Sequence, residues 1–222
     1  MAILVDIMLE VQPKYLLLNA LVKIKNISIV DTNGHVSIVR DKVSSLHFNL
    51  VAKGLFASLN DIKLTYYTID NSLYVYVSNP NSFYQTYSVD ISIELPEYSY
   101  NNITINMANG EISLCNIYSN LSNLEISNGI IDLNSVSFSN GLLFISNGEI
   151  KLENVEANFL SASVNNGEIK INLANNSIHV IPSVNNGKIY INGEKMNETS
   201  ISSIVNAHVN NGEIKIYNLF TK

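Results

Sequence analysis

Four glutamates, Glu111, Glu149, Glu168 and Glu213, fall at one position of a recurring segment. A row of carboxylates can bind cations or supply the acid and base of a hydrolase. Here Lys151, Lys170 and Lys215 follow two residues later in the same segments. That offsets the charge and makes the row a solvated face. No calcium-loop pattern of regularly spaced aspartates and glycines occurs, and of the aspartates only Asp132 lies among the repeats. His35, His47, His179 and His208 share no metal-ligand spacing, and Cys115 has no second cysteine. A nucleophilic thiol needs a base and an electropositive setting, whereas Cys115 follows Leu114 as a small wall residue. Nucleophile-elbow, phosphate-loop and dinucleotide fingerprints are missing. The expectation is a protein without catalysis, cofactor or metal.

Binding chemistry is better represented. Tyr66, Tyr67, Tyr74, Tyr76, Tyr84, Tyr87, Tyr98 and Tyr100 cluster ahead of the repeats. On a strand face they would stack on a glycan or a partner protein, or else fill a core. Sequons at Asn26, Asn102, Asn120, Asn175 and Asn197 matter only if the protein is exported. The 13 basic residues form no run or basic–aromatic stripe against a net charge of −6, so no nucleic acid is expected.

The elements that would position these groups follow from a repeat. Asn-Gly recurs at Asn109-Gly110, Asn128-Gly129, Asn147-Gly148, Asn166-Gly167, Asn186-Gly187 and Asn211-Gly212, spaced by 19, 19, 19, 20 and 25 residues. With each Asn as position zero, position +3 is always Ile, position +5 is Leu or Ile, and position −2 is Met107, Ile126, Ile145, Val164, Val184 or Val209. Position +8 supplies Ile117, Val136 and Val155. Apolar alternation with period two on both sides of a turn predicts two short strands, and position +8 a third, less regular side. Stacked in register, such coils form a parallel β-solenoid. The Asn-Gly pairs then sit at corners, where Gly takes φ > 0 and Asn builds an amide ladder, rather than in hairpins. The +4 residues are expected to be exposed. Pro182, at −4, is expected to cause a bulge. Gly193–Ser203 is expected to be a corner insertion, and Leu219 and Phe220 to plug the last coil.

Before residue 101 the period fails. One early unit remains, Asn33-Gly34 with Val36 and Ile38 at +3 and +5. Strands are expected at Ser45–Ala52, Ile62–Ile69, Leu73–Ser78 and Val89–Leu95. Asp70-Asn71-Ser72 reads as an antiparallel turn, and Asn79-Pro80-Asn81 as a second turn. The reading is therefore all-β, with an irregular, partly antiparallel cap over 1–100 continuous with a regular single-stranded solenoid of about 19-residue coils over 101–222. Composition agrees. Asn occurs 34 times, more often than the 13 basic and 19 acidic residues together, and Asn suits stacked ladders better than helices. Asp6 and Glu10 interrupt the apolar N-terminus, so no membrane span is expected. With no leader visible and one cysteine, a complete chain would be cytoplasmic, and a trimmed one would belong at the cell surface.

The order of parts resembles the putative adhesin family of bacteria and archaea. These parts are the early unit Asn33–Ile38, an irregular strand region, a strand ending Leu95-Pro96, then N-G-x-I-x-L coils from Asn109. The resemblance covers about residues 20–222. It implies a β-helix, right-handed, and an adhesive role at the cell surface. The expected function is non-catalytic binding or scaffolding, with a protein or glycan held through a β face. The alternatives are a structural protein that self-associates end to end, and, more weakly, a carbohydrate-active enzyme.

Overall fold

The computed structural model describes residues 7–8, 24–42, 45–54, 57–79, 85–95, 99–173, 178–192 and 203–218. The chain folds as a parallel β-solenoid with a partly antiparallel N-terminal cap. Its strands are β1 (Ile7–Met8), β2 (Asn26–Arg40), β3 (Ser45–Gly54), β4 (Lys63–Ile69), β5 (Ser72–Ser78), β6 (Gln85–Leu95), β7 (Ser99–Cys115), β8 (Tyr118–Asn134), β9 (Ser137–Glu153), β10 (Glu156–Leu173), β11 (Ile178–Asn192) and β12 (Ser203–Asn218).

Each of β7 to β12 is one coil, bent at its Asn-Gly. Equivalent residues pair in parallel register, Asn109↔Asn128 and Ile112↔Ile131 for instance, and not as hairpins. Residues before the corner form side A of the solenoid and those after it side B. A short third side begins at +8, just after Asn116, Ser135 and Asn154 at +7 turn the chain with φ of 57°, 55° and 51°. Ile117, Val136 and Val155 then point inward.

The corner requires glycine. Gly110, Gly129, Gly148, Gly167, Gly187 and Gly212 have φ between 130° and 153°, a region side-chain-bearing residues avoid. A Cβ on Gly148 would also lie 1.8 Å from the Gly129 carbonyl oxygen, so the glycines pack directly on one another from coil to coil. Inside, positions −2, +3 and +5 make continuous apolar rows. Ile112, Ile131, Ile150, Ile169 and Ile214 are all fully buried.

The coils do not stack in chain order. The sequence of layers is β1-β3-β6-β2-β7-β8-β9-β10-β12-β11. β12 lies between β10 and β11, pairing in parallel with both. This corrects three sequence expectations. The outermost coil is β11, so the coil preceding the C-terminal tail is not the end of the stack. The +3 and +5 residues of β11, Ile189 and Ile191, are 41% and 66% exposed where the other five coils bury theirs. Pro182 makes no bulge; it pairs with Ala207 in unbroken register. It sits on the edge coil, where one side of the strand needs no donor and proline is tolerated. The +4 lysines, moreover, are half-buried rather than exposed, because each lies against its neighbours in adjacent coils.

The N-terminal end folds outward and back in the same way. β2 is the first full coil of the stack and pairs along its length with β7, Asn33 opposite Asn109. The chain then leaves to form β3 and β4 and returns as β5 and β6. β5 continues side A beyond β2 and β6 continues side B, both parallel to it. β4 closes side A, antiparallel to β5; β3 pairs antiparallel with β6, and the short β1 lies beyond it. The β4–β5 turn is Asp70-Asn71, with φ of 48° and 61°, the left-handed pair of a tight hairpin. Of the Asn79-Pro80-Asn81 turn only Asn79 is described, its side-chain amide donating to the Tyr87 carbonyl at 3.4 Å; Pro80, Asn81, Gly193–Ser203 up to its last residue, Leu219 and Phe220 lie outside the described residues.

Candidate functional site

The glutamate row forms an ionic ladder on side B. The Lys170 ammonium lies 2.6 Å from Glu149 and 3.2 Å from Glu168; that of Lys215 lies 2.6 Å from Glu168 and 3.1 Å from Glu213. Coil stacking thus brings each lysine between two carboxylates, one of its own coil and one of the coil before. Burial works to raise the Glu168 pKa, but Lys215 and Lys170 outweigh it and hold the carboxyl below its usual value. The hydrogen bond to Glu149 raises the Lys170 pKa in return. Carboxylates neutralised in this way are poorly placed to collect a cation or carry a proton.

The corner amides form a second ladder, on the outside of the stack. Asn109 Nδ2 donates to Asn33 Oδ1 at 2.6 Å. Asn128 donates to Asn109, Asn147 to Asn128, Asn166 to Asn147 and Asn211 to Asn166, each at 2.9 Å, and Asn186 to Asn211 at 3.0 Å. A shallow groove beside its N-terminal end is lined by Asn33, His35, Asp90, Asn109 and Glu111. There the His35 backbone N–H donates to Asp90 Oδ1 at 3.1 Å.

The remaining candidates do not converge. His47 is exposed on β3, and His208 approaches Ser183 at 3.3 Å. Among the described residues no three His, Cys, Asp or Glu side chains could hold one metal ion. Cys115 is half-buried and unbridged. The tyrosines divide. Tyr87 and Tyr100 are core, and Tyr66 packs on Phe48 at 4.9 Å. Tyr67 stacks on Tyr74 at 5.1 Å and on Tyr76 at 6.4 Å, on the outer face of the β4–β5 hairpin. Tyr84, Tyr98 and the sequons at Asn175 and Asn197 lie outside the described residues.

Two features escaped the sequence reading. The first is side A itself. Strands β4, β5, β2, β7, β8, β9, β10, β12 and β11 lie side by side there. Of the twelve exposed large apolar residues among those described, nine project from it: Val30, Tyr67, Ile69, Tyr76, Leu121, Leu142, Phe159, Ile181 and Ile204. Between them stand Asn, Ser and Thr. Among the described residues pointing outward from side A, only Lys63 and Glu125 carry a formal charge; the exposed Glu156, at the start of β10, lies at its edge on the short third side. The second is Asp31. It occupies the −2 row of β2 opposite Met107, 3% exposed, with neither carboxylate oxygen hydrogen-bonded. Burial pushes its pKa up to about 7. Asp90 adds to that, and the backbone N–H groups of Thr32 and Asn33 favour the charged form without completing a hydrogen bond. The signal was legible, since Asp31 stands two residues before the early Asn-Gly where every later unit is apolar.

A parallel solenoid with an amide ladder at one corner, an ionic ladder on one side and a nearly uncharged face on the other defines a repeat protein of the β-helix class. The chain belongs to the Toastrack family, DUF4097, whose profile matches residues 22–217. The resemblance read from the Asn-Gly coils therefore stands. A solved structure of a putative cell adhesion protein from Clostridium sporogenes ATCC 15579 superposes with a TM-score of 0.51 at 12% identity, covering 98% of this chain and 99% of that one. That likeness shows the fold. A putative adhesin from Bacteroides fragilis NCTC 9343 matches with a TM-score of 0.40 at 14% identity, over 99% of this chain and 97% of that one. No curated protein gives a significant match. Among the described residues no helix is long and apolar enough to cross a membrane.

Proposed function

We propose that the protein is a non-catalytic adhesive or scaffolding module whose contact surface is side A. The observation that carries this reading is the concentration of exposed apolar and aromatic side chains on one uncharged sheet face. Scattered apolar residues are ordinary on a protein surface, but a contiguous set rimmed by polar groups marks an interaction site. On side B the central glutamates and lysines pair with one another, and its exposed large apolar residues are confined to Ile189, Tyr190 and Ile191 of the edge coil. An adhesive role agrees with the name of the Clostridium sporogenes structure, and a position at the cell surface is part of this proposal.

End-to-end polymerisation has less support. β1, β3 and β4 cover one end of the stack; at the other, the edge coil exposes Ile189 and Ile191 but also carries Pro182 and Lys188, and proline and lysine are common blockers of strand addition. A carbohydrate-active enzyme would need a cluster of acids free to act, whereas Glu149, Glu168 and Glu213 on side B are held in ion pairs.

The test is adhesion of protein-coated beads to protein and glycan arrays. Leu142→Lys on side A should abolish capture, and Lys151→Glu on side B should leave it intact. Equal behaviour of the two variants would rule out side A as the contact surface.

A further inference from the structure

We infer that the partner of side A is a second copy of this chain, docked face to face. The inference rests on the proposed role of side A and names its occupant.

Charge is the first argument. The molecule carries a net charge of −6, so two copies repel unless they meet where charge is sparse. Side A, with Lys63 and Glu125 alone among its described outward residues, is that place. The ends are the other surfaces a copy could use: β1, β3 and β4 cover one, and on the other Pro182 and Lys188 oppose strand addition, although Ile189 and Ile191 are 41% and 66% exposed there. Area is the second argument. Nine strands about 4.8 Å apart, each contributing about seven residues at roughly 3.3 Å per residue, make a face of about 900 Å². Pairing two such faces buries about 1,800 Å², within the range of stable specific interfaces. Two sheets stacked face to face, about 10 Å apart, are an ordinary β-sandwich contact.

The distribution of apolar groups supplies the third argument and sets the symmetry. One patch lies at the N-terminal end of the face, on β4, β5 and β2, and contains Tyr67, Tyr76 and Val30. The other lies on β8 to β12 and contains Leu142, Phe159 and Ile181. The outward residues of β7 between them, Asn102, Thr104 and Asn106, are polar and half-buried. A two-fold axis in the interface, parallel to the strands and near β8, sets each tyrosine patch against the partner's leucine–phenylalanine patch. Tyr67 on the first strand of the face and Ile181 on the last would then meet across it. An isologous contact of this kind is the commonest closed assembly.

The test is sedimentation velocity with light scattering across a range of protein concentrations. The intact chain should give a dimer of twice 24.6 kDa. Leu142→Lys and Phe159→Lys should weaken dimerisation at least tenfold, and Lys151→Glu should not. Both side A positions are exposed, so circular dichroism and melting should show unchanged folding. Tyr67→Glu and Ile181→Lys should each yield monomers separately and a mixed dimer when combined. A chain that stays monomeric at every concentration overturns the inference, as does a dimer that the side A variants leave intact. If the chain is monomeric and Leu142→Lys nevertheless abolishes bead capture, the contact surface stands and its partner is another molecule. If neither the mass nor the capture changes, both readings fall.

Discussion

Sides A and B of this solenoid are made by the same strands, share one apolar interior and meet at one corner, yet they present opposite surfaces. Side B repeats Glu at +2 and Lys at +4 over successive coils and closes them into ion pairs. Side A mixes Asn, Ser and Thr with Leu, Phe, Tyr and Ile that stay exposed among the described residues. Stacking coils at a fixed spacing amplifies whatever occupies a given row. A row of alternating charges neutralises itself and becomes a wall, whereas apolar residues scattered over neutral rows accumulate into a surface with unused binding capacity. The solenoid thus separates a finished face from an unfinished one without altering its backbone.

The corner is where that separation is made, and breaking it should have the largest effect. Gly148→Val places side-chain atoms where the Gly129 carbonyl oxygen lies, at a φ of 146°. We expect a loss of roughly 3–5 kcal/mol, read as a collapse of the melting transition or as insoluble protein. Ordinary melting of Gly148→Val would show that the two sides do not depend on glycine packing. Next comes the interior both sides share. Ile150→Ala should cost roughly 2–5 kcal/mol through lost transfer energy and the cavity left behind. Ile189→Ala, the same row on the outermost coil, should cost less than about 1 kcal/mol because Ile189 is already exposed. Equal denaturant midpoints for these two variants would contradict the layer order.

Asp31 lies where the sides part, between the corner and the two strands, β5 and β6, that extend them separately. Its carboxyl binds a proton more tightly in the folded state, about 7 against an ordinary 3.8. A folded value above the unfolded one means that the stability associated with the proton is complete below about pH 4 and lost as pH rises towards 7. Asp31→Leu should remove this dependence. Its stability advantage over the native chain should widen between pH 4 and 7 and reach roughly 2–4 kcal/mol at pH 8. Urea titrations of both proteins at a series of pH values provide the measurement, and a difference that stays constant with pH would mean that Asp31 is not held neutral.

The sequence made the coils legible because six in-phase units each repeat the same inward residues, and burial of those residues fixes the register. Layer order was hidden by the same regularity. β11 and β12 present equivalent rows to β10, so nothing in the period says which is adjacent. Pro182 carried the information, since a residue without an N–H belongs at an edge, but read within one strand it suggested a bulge. Side A was hidden for a different reason. Its apolar residues sit in different rows of different coils, Leu121 at −7 and Leu142 at −5 for example, so no column of the repeat is apolar. They become neighbours only when strands lie side by side. Asp31 was readable in principle, as the one charge in an otherwise apolar row.

The smallest expected effect lies on the finished face. Lys170 bridges Glu149 and Glu168, and Lys170→Ala removes both contacts. Exposed ion pairs contribute about 0–1 kcal/mol after side-chain ordering and screening, and the Lys170 side chain is 38% exposed. We therefore expect a loss of less than about 1 kcal/mol, shrinking further in 1 M salt, where the screening length falls to about 3 Å. The Glu168 carboxyl should become easier to protonate, because Lys170 is one of the two ammonium groups holding its pKa down. Its titration, followed by carbon-13 NMR of the carboxyl, should shift upward in the variant. The separation between the sides would then be measurable. On side B a substitution changes a local titration and little else, whereas on side A Leu142→Lys leaves stability alone and changes association. If Lys170→Ala instead altered the mass in solution, the ionic ladder would be part of an interface and side B could no longer be considered finished.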